Sequence, residues 1–140
     1  MEKYCPFCDI DKEKTFILEE NLKAYVAMSN PRLVKGHLLV IPKRHVETID
    51  RLNREEWDDV TNLVVKYQKK ITDSLASGYD LRQHYIPYVP QSRFKIDHVH
   101  FHLIPRNFKD EMYERMKGAY DLFEDLSDGE RREVFNLLKD

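Results

Sequence analysis

The feature that most constrains the fold is the segment His98–Ile104, in which three histidines alternate with bulky apolar residues. Alternation with a period of two, among β-branched and aromatic neighbours, predicts a β-strand whose imidazoles all project from one face. Val99, Phe101 and Leu103 then point to the opposite face, into a core. A lone histidine on a strand is usually structural, but imidazole can bind metals and act as a nucleophile. Three imidazoles on one face therefore indicate a functional site.

Length and charge limit the classes of protein that this chain can belong to. Its 140 residues are enough for one domain with a hydrophobic core and no disulfide bonds. Charged residues make up 34% of the chain, but the net charge is only −2, which predicts no general attraction to nucleic acid or anionic membranes. No apolar run reaches the length of a membrane span, and the first residues do not resemble a signal peptide. We therefore expect a cytoplasmic protein that holds any anionic ligand through local groups.

The only two cysteines, Cys5 and Cys8, form a CxxC motif. In a reducing compartment this motif favours a redox pair or half of a zinc site, with two unremarkable thiols as the simpler alternative. A redox CxxC usually follows a buried strand, and only four residues precede this one. Zinc needs four ligands in a tetrahedral arrangement, so two more must come from elsewhere in the chain. Histidines at 37, 45, 84 and in the segment 98–102 are available.

The remaining pattern predicts an α+β order. Short strands are predicted at Thr15–Leu18, Ala24–Met28 and Gly36–Pro42. A long amphipathic helix is predicted from Asn53, which forms a possible capping box with Glu56, to Ser77–Gly78. Beyond it we expect a strand over Arg82–Val89, a loop over Pro90–Lys95, the histidine strand over Asp97–Ile104, and one or two helices, one of them capped by Ser127.

Basic residues follow two of the predicted strands. Lys43 and Arg44 follow the third strand, and Arg106 follows the histidine strand. If these strands are close in an antiparallel sheet, their cations and the imidazoles could converge on an anion such as phosphate. The simpler alternative for Lys43 and Arg44 is a solvated charge run. With only four glycines, a glycine-rich phosphate cradle is excluded.

These motifs together resemble the histidine triad nucleotide hydrolases and transferases. The alternating histidines followed by Pro105-Arg106 are similar to the family's main signature, Gly36–His45 to its second signature, and Cys5–Ile10 to its N-terminal segment. The resemblance implies a five-stranded antiparallel sheet with the long helix packed on it. It also implies a homodimer that joins two sheets into ten strands. We expect residues 1–107 to form the nucleotide-binding domain and residues 108–140 to extend that domain as C-terminal helices.

The resemblance also implies a mechanism and a class of substrate. His100 would attack the α-phosphorus of a nucleotide and form a covalent nucleotidyl-imidazole, and water would then release a nucleoside monophosphate. His102 would hydrogen-bond the phosphate oxygens, and His98 would fix the orientation of the cluster. The ending Leu103–Arg106 favours the branch that acts on dinucleoside polyphosphates over the branch that acts on phosphoramidates.

By position, the resemblance implies six nucleotide-binding residues: Phe7, Ile10, Ser29, Asn30, Gln91 and Ser92. The first two would line the base pocket, the next two would contact the ribose, and the last two would contact the phosphates. Ahead of the triad, relatives carry glycines that residues 87–97 lack. We therefore expect the loop of residues 90–97 to set the choice of leaving group, with Arg93 and Lys95 turned toward a polyphosphate. The simpler alternative is that both cations face solvent.

For the metal, the resemblance implies zinc held by Cys5, Cys8, His45 and His98. Two nitrogen and two sulfur ligands suit a tetrahedral zinc ion. This set leaves His100 and His102 free for chemistry, so the zinc would be structural. It would tie the N-terminal segment to two strands.

Three other functions are consistent with parts of the pattern. A non-catalytic module could bind nucleotide or zinc without turnover. A metal-dependent enzyme could use His98, His100 and His102 as ligands, but alternate strand residues lie about 7 Å apart, far for three ligands of one small ion. Removal of adenylate from DNA needs a basic surface that a net charge of −2 does not support.

Overall fold

The computed structural model describes residues 4–116 and 123–139. It contains strands β1 (Ile17–Glu20), β2 (Ala24–Met28), β3 (Leu38–Pro42), β4 (Gly78–Arg82) and β5 (Phe101–Arg106). Its helices are α1 (Arg54–Ser74), α2 (Glu111–Arg115) and α3 (Asp128–Leu138). These residues fall into two compact units, one ending at Asp110 and the other beginning at Glu111, where the sequence predicted a boundary after residue 107. No helix in the described part of the chain is long and apolar enough to cross a membrane.

The strands form one antiparallel sheet in the order β1-β2-β3-β5-β4. This confirms the predicted α+β fold with five strands. His102 on β5 lies opposite Leu39 on β3 and opposite Arg82 on β4. The histidine strand therefore lies inside the sheet, with a neighbour on each side that can contribute groups to the same face.

Helix α1 covers one face of the sheet. Its buried residues Val60, Leu63, Tyr67 and Ile71 recur every three or four positions and belong to the main core, together with Val99, Phe101 and Leu103 from the histidine segment. A smaller cluster contains Tyr25, Ala27, Leu39 and Ile41, against which Phe7, Ile10 and Ile17 pack. Val99, Phe101 and Leu103 therefore face the core beneath α1, and the histidines face the other way. The sequence predicted that these apolar residues point into a core.

A buried carboxylate fixes the start of α1. Asn53 caps the helix by accepting a hydrogen bond from the backbone N–H of Glu56, and the Glu56 side chain accepts one from the backbone N–H of Asn53. The Arg44 guanidinium donates to both Glu56 oxygens, at 2.8 and 3.0 Å. These hydrogen bonds hold the pKa of Glu56 below its usual value although burial acts in the opposite direction.

We expect Glu56→Gln to lower the free energy of unfolding at pH 7 by about 2 kcal/mol, because it removes the partner of Arg44 in a buried position. Glu55→Gln is the matched control, since Glu55 is 79% exposed and its change should cost little. Because folding lowers the pKa of Glu56, its contribution is present above the unfolded pKa and is lost as pH falls through the folded value. The difference between the variants in urea unfolding should therefore shrink in acid. Equal effects of the two substitutions at pH 7 would contradict this role.

Several predicted boundaries are wrong. Strand β1 spans Ile17–Glu20 instead of Thr15–Leu18, and β3 begins at Leu38 instead of Gly36. Helix α1 ends at Ser74 with Leu75 as its C-cap, and Gly78 begins β4 instead of ending the helix. The strand predicted over Arg82–Val89 is a largely irregular connection, because the edge position next to β5 is already taken by β4. Strand β5 begins at Phe101, so His98 and His100 precede it. Their alternation persists because the backbone N–H of Val99 donates to the carbonyl of Val46 at 2.8 Å.

Candidate active site and metal centre

Four side chains far apart in sequence meet beside the N-terminal segment. Cys5, Cys8, His45 and His98 each direct one ligand atom inward, and all four atoms lie within 4.8 Å of one another. The Nδ1 atom of His98 lies 3.4 Å from the sulfur of Cys5, 3.5 Å from that of Cys8 and 3.2 Å from Nδ1 of His45. Both cysteines are free thiols. The structure therefore brings together the four predicted ligands in a group that could hold one metal ion.

Backbone hydrogen bonds position three of the four ligands of this group. Cys5 and Cys8 lie on a tight turn in which the carbonyl of Cys5 accepts from the N–H groups of Cys8 and Asp9. His98 donates its Nε2–H to the carbonyl of Pro42 at 2.7 Å. That hydrogen bond places the proton on Nε2 and leaves the Nδ1 lone pair for a metal, as is usual for histidine ligands.

The central histidine of the triad is held by one hydrogen bond and one ring contact. His100 donates its Nδ1–H to the carbonyl of His98 at 2.6 Å, so its Nε2 carries a free lone pair. The ring of Phe7 meets the His100 ring nearly edge-on, with centroids 5.1 Å apart and an interplanar angle of 73°. His100 is therefore fixed in one tautomer and one ring orientation.

A fourth histidine, His37, fixes the tautomer of His102. The backbone N–H of Leu33 donates to Nδ1 of His37 at 3.0 Å, so His37 carries its proton on Nε2. That Nε2–H donates to Nδ1 of His102 at 2.9 Å, which leaves the His102 proton on Nε2. From the sequence alone, His37 was only a possible zinc ligand. Its place after Gly36 in the family's second signature was a signal that could have indicated a role at the triad.

Gly36 is needed where the chain enters β3. Its φ of +86° lies in the left-handed region that L side chains rarely adopt. A Cβ atom there would lie 3.1 Å from side-chain carbons of both Leu75 and Pro105. Only glycine lets the turn approach these neighbours and deliver His37 to His102.

Burial keeps these imidazoles neutral. Burial is the main cause and neighbouring histidines add to it, so that the pKa of His37 and of His98 falls to about 4 and that of His102 to about 3. Burial also lowers the pKa of His100. Near pH 7 the triad is therefore uncharged, which is the state in which an imidazole nitrogen can act as a nucleophile.

Two cavities adjoin His100 and His102. The larger, about 480 Å³, is also lined by Phe7, Ser29 and Asn30, three of the residues predicted to bind nucleotide. The smaller, about 50 Å³, is also lined by Glu47, Tyr85, Lys95 and Asp97. Four residues that the sequence did not assign to the site border both cavities: His84, Ile86, Phe94 and Ile96.

Three other predicted nucleotide-binding residues line neither cavity. Ile10 packs on the smaller core cluster. Gln91 uses its amide within the protein, donating to the carbonyl of Tyr4 and accepting from the backbone N–H of Asp97. The Ser92 hydroxyl accepts from the backbone N–H of Phe94. Nucleotide binding by Ile10, Gln91 and Ser92 stays a prediction, while the contacts shown hold the loop and the N-terminal segment.

The predicted convergence of cations on an anion is wrong for the strand ends. Arg44 is bound to the buried carboxylate of Glu56, and Arg106 donates to the partly exposed carboxylates of Asp80 and Asp110. Both guanidinium groups are therefore neutralised within the protein.

In the loop ahead of the triad, the two predicted cations have different surroundings. Lys95 is ion-paired with Asp97, and its side chain is only 9% exposed. Arg93 lines the larger cavity and lies over the Phe94 ring, 5.2 Å from its centroid. Arg93 is therefore the loop cation placed to meet a charged ligand.

Comparisons with known proteins identify relatives of this arrangement. The HIT domain family model matches residues 10–109. The adenosine 5'-monophosphoramidase HNT1 of Candida albicans is 32% identical over 114 residues, which cover 76% of this chain and 72% of that protein. A HIT family protein from Bacillus anthracis has the same fold, with a TM-score of 0.72 and 22% identity over 99% of this chain and 96% of the other. A Zn-bound histidine triad family protein from Mycobacterium smegmatis also has this fold, with a TM-score of 0.65 and 21% identity over 77% of this chain and 78% of the other.

Proposed function

This chain belongs to the histidine triad (HIT) family, and from that premise we propose that it hydrolyses a nucleotide at the α-phosphorus through a covalent intermediate on His100. The observation that carries the proposal is the hydrogen bond from Nδ1–H of His100 to the carbonyl of His98. It leaves Nε2 as the nucleophilic atom and stabilises the positive charge that the ring acquires when that atom is substituted.

The reaction proceeds in two steps. In the first, Nε2 of His100 bonds to the α-phosphorus as the bond to the leaving group breaks. In the second, water bonds to phosphorus as the phosphorus–Nε2 bond breaks, which releases a nucleoside monophosphate. His102 donates its Nε2–H to a phosphate oxygen, because its Nδ1 already accepts from His37. Phe7, Ser29 and Asn30 hold the nucleoside in the larger cavity.

Two classes of leaving group are supported by different observations. Arg93 borders the larger cavity and can pair with the charges of a polyphosphate, which favours a dinucleoside polyphosphate. The relative in Candida albicans is named for adenosine 5'-monophosphoramidate, which favours a phosphoramidate with a small leaving group. Both classes share the attacked atom and the released nucleoside monophosphate.

A panel of substrates tests the proposal. Purified protein is incubated with diadenosine polyphosphates, adenosine 5'-phosphoramidates and nucleotide sugars, and release of AMP or the corresponding monophosphate is measured by chromatography. We expect release from at least one of the first two classes, together with a transient mass increase of one nucleotidyl group on the intact chain. No turnover with any member of the panel would favour the alternative of a non-catalytic nucleotide-binding module.

The metal that the four-residue centre fits best is zinc. Bonds of about 2.3 Å to sulfur and about 2.0–2.1 Å to nitrogen give tetrahedral edges of roughly 3.5 Å between sulfur and nitrogen and roughly 3.3 Å between nitrogens. The structure has 3.3–3.5 Å for three sulfur–nitrogen pairs and 3.2 Å for the nitrogen pair. The Zn-bound relative from Mycobacterium smegmatis supports this choice. With four protein ligands the zinc is structural and leaves His100 free.

A homodimer is the assembly that the sheet favours. Strand β4 lies at one edge of the sheet, so its outer backbone groups have no strand partner among the described residues. Tyr79 and Leu81 on this strand are 41% and 49% exposed. Pairing of β4 with its copy would satisfy the edge and give a sheet of ten strands.

A further inference from the structure

One imidazole at the catalytic cavities has no role in the mechanism described so far. His84 follows the end of β4 by two residues, and Arg82, at that end, lies opposite His102 in the sheet. The His84 ring meets the His102 ring at 61°, with centroids 5.5 Å apart. Its side chain borders both cavities together with His100 and His102.

Several other polar groups at this place are already committed to partners. His100 donates its Nδ1–H to His98 and uses Nε2 as nucleophile, while His37 and His102 are joined by a hydrogen bond. Lys95 is paired with Asp97, and Arg82 with Asp80 at 2.8 Å. Within residues 4–116 and 123–139, the ring nitrogens of His84 make no hydrogen bond.

We propose that His84 gives a proton to the leaving group and then takes one from the attacking water. The inference rests on the proposed function, since it assigns a general acid and base to that same reaction. Imidazole suits both tasks because it exchanges protons near neutral pH, and such a group typically accelerates a reaction by about 10²–10⁴-fold. His84 is exposed, so its ring can turn toward a leaving group that enters from solvent.

Protons and charges balance over the two steps. In the first step Nε2 of His100 bonds to phosphorus, the bond from phosphorus to the leaving oxygen or nitrogen breaks, and protonated His84 transfers its proton to that atom. His84 is then neutral, and the nucleotidyl-His100 ring is cationic. In the second step neutral His84 takes a proton from water as its oxygen bonds to phosphorus and Nε2 leaves. His84 is protonated again and His100 is neutral.

The test uses a series of AMP esters whose leaving groups range from 4-nitrophenol, which needs no proton to depart, to phenol and simple alcohols, which do. We expect His84→Gln to lower kcat/KM for the alkyl esters by about 10²-fold. For the 4-nitrophenyl ester, kcat/KM should stay within about two-fold of the wild-type value. The plot of log kcat/KM against leaving-group pKa should therefore become steeper. Added imidazole should restore part of the alkyl ester rate to His84→Ala.

Tyr85 is the control, because it also borders the smaller cavity and its phenol is an alternative proton donor. Tyr85→Phe should leave the slope of the plot unchanged. The proposal for His84 is overturned if His84→Gln lowers kcat/KM equally for every ester or changes it for none. It is also overturned if Tyr85→Phe, and not His84→Gln, steepens the plot. Failure of the proposed function has a different signature, since wild-type protein would then cleave no ester and form no nucleotidyl adduct.

Discussion

The substitution His100→Ala is expected to lower kcat by at least about 10⁴-fold, because neither of the other two triad histidines can replace the nucleophile. The covalent route depends on a free Nε2 lone pair, and the remaining triad nitrogens are engaged: His98 beside the cysteines and His102 with His37. Turnover is measured as monophosphate release, and intact mass spectrometry should show no nucleotidyl adduct on the variant. Nucleotide affinity should change little, since the residues proposed to contact the nucleoside are Phe7, Ser29 and Asn30, which line the larger cavity.

His102→Ala is the matched comparison, because it removes an imidazole from the same strand face without removing the nucleophile. It should slow the reaction by about 10²–10³-fold and still allow the adduct to form, as expected for the loss of one donor to a developing charge. Near-wild-type hydrolysis by His100→Ala would show that the covalent assignment is wrong. An adduct on His100→Ala would place the nucleophile on another residue.

The substitution Cys5→Ala is expected to abolish metal binding and to lower the free energy of unfolding by about 4 kcal/mol or more, since binding of a structural metal is coupled to folding. Wild-type protein purified without chelator should contain about one zinc ion per chain, measured by elemental analysis. Cys5 is buried, whereas Cys8 is exposed, and both sulfurs lie within hydrogen-bond range of His98. Cys8→Ala should therefore lose the metal as well.

Chelation supplies the control for this experiment. A strong chelator should lower the melting temperature of wild-type protein to that of Cys5→Ala and should not change that of the variant. Absence of zinc from chelator-free wild-type protein would contradict the assignment. Equal stability of wild type and variant in the presence of bound zinc would show that the metal contributes nothing to folding.

The metal centre and the catalytic cavity share one short turn. Phe7 lies between the two cysteines, its ring contacts both His98 and His100 at 5.8 and 5.1 Å between centroids, and it lines the larger cavity. Tyr25 holds the same turn by donating its hydroxyl to the carbonyl of Phe7 at 2.8 Å. Loss of metal should therefore loosen one wall of the nucleotide cavity while leaving the nucleophile in place.

The sequence alone was enough for features that depend on neighbouring residues. Alternation along His98–Ile104 predicted which side chains face the core, and the structure buries Val99, Phe101 and Leu103 beneath α1. The spacing of Asn53 and Glu56 predicted the start of α1, and both hydrogen bonds of the capping box are present. These features follow from the period of a strand and the first turn of a helix, which a chain carries in its local order.

Only the tertiary structure decided which polar groups neutralise one another. His37 and His102 are 65 residues apart in sequence, yet their hydrogen bond sets the tautomer of His102. Arg44 at a strand end and Lys95 in the loop ahead of the triad were each predicted to meet an anion, but Glu56 and Asp97 neutralise their charges. His84 reaches the cavity because β4 pairs with β5, whereas the sequence predicted a strand that began at Arg82. Which group pairs with a given cation depends on strand pairing and burial. A carboxylate that folding brings close to the cation neutralises it, and the sequence around the cation does not reveal that partner.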